Sequence, residues 1–124
     1  MLTGERVRLR EWRESDIAIV QEAASDPLIP LITTVPRLAG EAAARAFVRR
    51  QHDRLRSGEG YAFAIADHDD RAVGHIGLFR AGDARASVGY WIGSSQRRLG
   101  YAGDALATLT RWAITREGID RVEL

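Results

Sequence analysis

The residues best suited to chemistry in this chain stand in one stretch, Ser94-Ser95-Gln96-Arg97-Arg98-Leu99-Gly100-Tyr101-Ala102-Gly103. Upstream lies Ser87-Val88-Gly89-Tyr90-Trp91-Ile92, rich in the β-branched and aromatic residues that strands favour. Downstream, Ala102, Ala105, Leu106, Leu109, Trp112 and Ala113 recur at helical spacing. The stretch therefore reads as a strand-to-helix turn. Such a turn aims unpaired backbone N–H groups, at the positive end of the helix dipole, at whatever lies above it. The chemistry this suits is the binding of a phosphate-bearing anion. Gly100 allows close backbone approach, and Ala102 and Gly103 keep the approach clear of bulky side chains.

Two familiar kinds of phosphate turn are excluded. A nucleotide-hydrolase loop needs Lys before Ser or Thr, and the chain contains no Lys. The dinucleotide fingerprint needs Gly-x-Gly-x-x-Gly with an acid about 20 residues on, and Gly100 and Gly103 have the wrong spacing. What remains is Arg97-Arg98-Leu99-Gly100-Tyr101-Ala102, which resembles the Gln/Arg-x-x-Gly-x-Gly/Ala signature of the GNAT superfamily of N-acetyltransferases.

The elements that must position this turn are legible on either side. Val7-Arg8-Leu9-Arg10-Glu11-Trp12 alternates as a half-buried strand. Ser15 is placed to cap a helix with Ile17, Val20 and Ala24 on one face, ended by Asp26-Pro27. Leu28 to Leu38 reads as a loop, with Pro30 and Pro36 in it. It carries Leu28, Ile29, Leu31, Ile32 and Val35, side chains expected to be buried. Glu41 to Arg56 is a helix with Ala44, Phe47, Val48, Gln51 and Leu55 inward, His52 at the surface, and a stop at Ser57-Gly58.

Three antiparallel strands follow: Tyr61–Ala66, Ala72–Phe79 and the strand ending at Ile92. They are joined by the turns Asp67–Arg71 and Ala81–Ala84. The acids of the first turn read as a solvated tip, not a metal site. After the Arg97–Ala102 turn the helix is expected to run to about Glu117 with Gly118 as its cap. Arg121–Leu124 then begins a strand parallel to the one before the helix. The fold class is α/β (α+β): one domain over 1–124, with a mixed, mostly antiparallel sheet flanked by helices.

Composition bounds the rest. Charged residues make up 28% of the chain, with a net charge of +1, so a general nucleic-acid partner is not expected. There is no cysteine to support disulfide or thiolate chemistry. With no apolar leader and no run of membrane-spanning length, a cytoplasmic protein is expected.

The element order resembles the first four-fifths or so of the GNAT fold, and within it the ribosomal-protein N-terminal acetyltransferases. Besides the turn, the resemblance rests on Arg8-Leu9-Arg10 with Glu14-Ser15-Asp16, on Val73-Gly74-His75-Ile76-Gly77, on Gly89-Tyr90-Trp91-Ile92, and on Gly118-Ile119-Asp120-Arg121-Val122-Glu123-Leu124. It implies acetyl transfer from acetyl-coenzyme A to a primary amine, on a peptide N-terminus or a small molecule. Backbone groups of Trp91, Ile92 and Gly93 would pair with the pantetheine arm. Amides of Arg97, Arg98, Leu99, Gly100, Tyr101, Ala102 and Gly103 would hold the diphosphate, without a metal.

Relatives often carry Glu two residues before the strand glycine, where this chain has Ser87. His75 is then the first candidate for the base and Glu123 the second. Leu28–Val35 and the helix after it would line the amine cleft. Relatives also continue with a further helix and two strands, so a fragment or a homodimer formed by strand pairing or exchange is expected. A non-catalytic coenzyme-A-binding module and a generic phosphate-ester binder are the competing readings.

Overall fold

The computed structural model describes residues 1–57, 60–80, 84–116, 119 and 121–123. In chain order the elements are β1 (Leu2–Thr3), β2 (Arg8–Arg10), a single 3₁₀ turn (Glu14–Asp16), α1 (Ile17–Ala24), α2 (Ile29–Ile32) and α3 (Glu41–Ser57). Then come β3 (Gly60–Ala66), β4 (Ala72–Arg80), β5 (Arg85–Ile92), a second 3₁₀ turn (Ser94–Gln96), α4 (Tyr101–Ala113) and β6 (Arg121–Glu123). One six-stranded sheet runs β1-β2-β3-β4-β5-β6. Every pair is antiparallel except β5–β6, which is parallel as the intervening helix requires.

Alternation along the strands divides the core into two layers. Leu9, Ile65, Ile76, Leu78, Val88 and Ile92 face Ala105, Leu109 and Ala113 of α4. Ala64 and Trp91 face the other way, against Trp12, Val20, Phe47 and Val48 from the Trp12 loop, α1 and α3. Fully burying a side chain of this size contributes about 1.5–3 kcal/mol, so both helical layers are held chiefly by these contacts.

Several expectations are corrected. Ser15 is exposed and does not cap α1. Asp16 stands at the start of α1 without a side-chain cap bond to it; its carboxylate closes the preceding 3₁₀ turn by accepting the Arg13 N–H at 2.7 Å and holds Arg10 in a buried ion pair at 2.8 Å. Asp16 has those partners because β2 places Arg10 beneath it. The Leu28–Leu38 loop contains α2, whose first turn accommodates Pro30 without losing a hydrogen bond. Of its apolar side chains Ile29 and Val35 are buried, whereas Leu28, Leu31 and Ile32 are 57%, 78% and 70% exposed. A helix this short has one inward face. His52 is half-buried, its Nε2 against the Trp12 carbonyl.

The β3–β4 turn is more than a solvated tip. Asp70 pairs with Arg10 at 2.9 Å and with Arg13, and Asp67 accepts the N–H groups of Asp69 and Arg71. Helix α4 ends at Ala113, earlier than expected; the expected cap Gly118, Glu117, and Ala81–Asp83 of the β4–β5 turn lie outside the described residues.

Candidate active site

The chain leaves β5 at Ile92, turns once through Ser94–Gln96, and enters α4 at Tyr101. Two residues make the bend possible. Arg98 has φ 65° and Gly100 has φ 80°, the left-handed region that costs glycine least. Asp104 is the first α4 amide to find an acceptor, the Gly100 carbonyl at 3.2 Å. The amides of Arg97 through Gly103 donate to no acceptor among the described residues. A row of exposed N–H groups thus caps the positive end of a 13-residue helix.

Side chains brace the bend from below. Asp104 accepts the backbone N–H groups of Glu5, Arg6 and Val7 at 3.2, 2.7 and 2.9 Å, tying the β1–β2 turn to the start of α4. Burial alone would raise the Asp104 pKa. The donated bonds from Arg6, Val7 and Glu5, with the charge of Arg111, outweigh it and hold the carboxyl below its usual range. Gly4 is required for this clip, since a Cβ there would lie 2.5 Å from an Asp104 oxygen. Arg6 also donates to the Leu99 carbonyl at 3.2 Å. The Arg97 guanidinium bonds the Ile92 carbonyl at 3.3 Å and Asp26 at 3.0 Å, so its charge is partly committed to the fold. Arg98 is exposed.

The end of β5 is open on one side. Pairing with β6 covers Arg85–Ser87 only, among the described residues. The Gly93 amide is bonded to the Val73 carbonyl, so by alternation Trp91 also turns its backbone toward β4. The outward polar groups are therefore those of Ile92, anticipated from the sequence, and of Tyr90, which was not. The strand's period of two, anchored at Gly93, is the signal that finds Tyr90. A Cβ on Gly93 would meet Glu22 Oε2 at 2.3 Å, so α1 packs hard against this strand end. Ser95 Oγ donates to the other oxygen of Glu22 at 2.6 Å.

On the α3 side of the sheet the aligned residues form rows: Ala64, His75 and Trp91; then Ala62, Gly77 and Gly89; then Gly60, Phe79 and Ser87. His75 is buried among Trp12, Phe47 and Trp91, and its Nδ1 accepts the Trp12 indole N–H at 3.1 Å. Burial first, and then the charge of Arg54, lower its pKa to about 3. The ring is neutral at physiological pH. Its Nδ1 lone pair is taken by Trp12, which assigns the remaining proton to Nε2.

Glu123 stands in register with Ser87 across the β5–β6 pair, so the two side chains share the α3-side face. Val122 packs on the opposite layer, as that alternation requires. Glu123 forms an exposed ion pair with Arg121 at 3.0 Å. Sequence reasoning reached Glu123 as the end of a strand. Its position beside Ser87 came only with the register.

Residues 6–124 match the family profile for the acetyltransferase (GNAT) domain. The chain belongs to the GNAT acetyltransferase family. A curated relative, the uncharacterised N-acetyltransferase p20 of Bacillus licheniformis, is 24% identical over 98% of this chain and 70% of its own length. Among solved structures, a GNAT-family acetyltransferase from Bacillus anthracis superposes with a TM-score of 0.79 at 20% identity, over 98% of this chain and 70% of the other. RimL, the ribosomal L7/L12 α-N-protein acetyltransferase in complex with coenzyme A, superposes at 0.71 with 16% identity, over 95% and 69%. The GNAT chain described here therefore has the fold that its sequence resemblance implied. No helix among its described residues is long and apolar enough to cross a membrane.

Proposed function

We propose that this GNAT domain moves an acetyl group from acetyl-coenzyme A to a primary amine, on a peptide N-terminus or a small molecule in the cytoplasm. The observation that carries this reading is the row of amides from Arg97 to Gly103, unpartnered among the described residues, at the end of a strand whose outward edge pairs with no described strand beyond Ser87. These groups fit the diphosphate and pantetheine arm of the coenzyme. Each N–H bond to a charged phosphate oxygen contributes about 1.5–3 kcal/mol. Tyr90 and the Ile92 N–H offer the backbone groups that an extended arm would pair with, next to the diphosphate cradle, while the Ile92 carbonyl accepts from Arg97. RimL in its coenzyme A complex supports the same choice of ligand.

The amine must be neutral to attack. An α-amino group has a reference pKa of about 7.7–8.0, against about 10.4 for a lysine side chain, so an N-terminal amine needs the less help. The amine nitrogen bonds to the acetyl carbon as the carbon–sulfur bond breaks, and the thiolate leaves with coenzyme A. The proton lost from the amine passes to Glu123, directly or through a water. His75, first in order on sequence grounds, is here a hydrogen-bond donor at Nε2 and no base. Glu123 takes the part because the β5–β6 register sets it beside Ser87.

Acetyl-coenzyme A consumption over a panel of primary amines tests the reaction. Glu123→Gln is expected to lower kcat about 10²- to 10⁴-fold with coenzyme A affinity unchanged. Unchanged kcat would remove Glu123 from the mechanism. Tight coenzyme A binding with no acetyl transfer would instead make the chain a coenzyme-A-binding module, the reading that Ser87 favours.

A further inference from the structure

We infer that Asp26 is a positioning residue for acetyl transfer, its one carboxylate setting the coenzyme-binding turn through Arg97 and the start of α2 through the Leu28 and Ile29 amides. This inference rests on the acetyl-transfer reading and adds a residue to that site. Asp26 precedes Pro27, in a turn where an aspartate folds back on the N–H two residues ahead. Its Oδ1 accepts the Leu28 and Ile29 N–H groups at 2.8 and 3.1 Å. Its Oδ2 accepts a bond from the Arg97 guanidinium at 3.0 Å, 71 residues away in sequence, and the side chain is 5% exposed. The two amide bonds first, and then Arg97, outweigh burial and hold the carboxyl below its usual range, so it is ionised at neutral pH.

The turn needs such a brace. Arg98 stands at φ 65°, a backbone conformation that a residue with a side chain keeps only where its surroundings hold it. Both of its neighbours are held. Arg97 is bonded to Asp26 and to the Ile92 carbonyl, and the Leu99 carbonyl accepts from the Arg6 guanidinium. A second acid from α1 acts beside Asp26. Glu22, four residues earlier, accepts the Ser95 hydroxyl at 2.6 Å through Oε1. Its Oε2 is buried against Gly93 without a partner among the described residues. Leaving a buried carboxylate oxygen unmet is costly, so the contact between α1 and the end of β5 is enforced by the packing around it.

Charge separates positioning from ligand binding. Carboxylates beside an anion site repel a diphosphate, so neither Glu22 nor Asp26 is a ligand of it. Arg97 neutralises Asp26, and with its bonds made inside the chain it serves the turn as a strut. The amides of the turn then keep the aim that a diphosphate requires. The same carboxylate fixes α2, the segment that the acetyl-transfer reading sets along the amine, relative to those amides. Preorganisation of this kind raises affinity without adding a contact to the ligand.

The test is a double-mutant cycle on coenzyme A binding, measured by calorimetry well below the thermal midpoint of every variant. Asp26→Asn keeps an oxygen for the Leu28 and Ile29 N–H groups but turns a donor toward Arg97, and Arg97→Gln removes the other partner. Each is expected to weaken coenzyme A binding about tenfold, and the double variant no more than either alone. Asp53→Asn, the same charge change at an exposed position of α3, should leave the affinity unchanged. In the ¹H–¹⁵N spectrum of the wild type, coenzyme A should shift the Leu28 and Ile29 amides, across the carboxylate from Arg97, and Asp26→Asn should remove those shifts. An Asp26 that acts by charge alone would give tighter binding in Asp26→Asn, because Arg97 is freed for the phosphates. Tighter or unchanged binding, effects of the two variants that add, or Leu28 and Ile29 amides that stay unmoved in the wild type would overturn this inference while coenzyme A still binds. Failure of the wild type to bind coenzyme A would overturn the acetyl-transfer reading and this inference with it.

Discussion

Burial fixes what individual side chains can do here, and His75 is the clearest case. Its pKa in the fold is about 3, lowered by burial and then by Arg54, against about 6.5 for an exposed imidazole. Between those values the unfolded chain binds a proton that the folded chain refuses. Stability is therefore fully present above about pH 6.5 and falls as the pH drops toward 3, by up to about 1.4 kcal/mol per unit. Urea unfolding of the wild type and of His75→Gln between pH 7 and pH 4 checks this. The wild type is expected to lose stability more steeply, and parallel curves would show that His75 is not buried neutral. Glu22 is a different case: its Oε2 is the one buried side-chain oxygen or nitrogen without a partner among the described residues, pressed against Gly93.

At the scale of elements, the binding bend is held by a contact distant in sequence. Asp104 clamps three amides of the β1–β2 turn to the first turn of α4. Asp104→Ala leaves those donors without their acceptor and removes an acid from a helix N-terminus, a loss of about 1–3 kcal/mol. Thermal unfolding should show a lowered midpoint, and an unchanged midpoint would mean that water replaces the clamp. The bend itself was legible in the sequence because Gly100 and the apolar spacing from Ala102 to Ala113 are local signals. The parallel β5–β6 pair was legible from connection length. What escaped was tertiary. The Asp104 clip, the Arg10–Asp16–Asp70 network and the neighbourhood of Ser87 and Glu123 depend on which strands meet, and in what register. Strand β1, with two residues, carries no period to read, and α2 hides behind its prolines.

For the molecule as a whole, β6 stands last in the strand order of the described residues, where its pairing with β5 covers Arg85–Ser87. The remaining edge offers backbone groups both to a pantetheine arm and to another strand. We expect the isolated chain to dimerise through this edge and coenzyme A to compete with the dimer. Sedimentation velocity with and without coenzyme A measures it, and a monomer across micromolar concentrations would remove strand pairing from the account. The central claim is tested most directly by following every backbone amide in a ¹H–¹⁵N spectrum during titration with coenzyme A, with ATP as the control. Saturable shifts concentrated at Arg97–Gly103 and along Tyr90–Ile92 are predicted for coenzyme A, with ATP lacking the Tyr90–Ile92 component. Coenzyme A that leaves those amides unmoved, or moves a different surface, would contradict it.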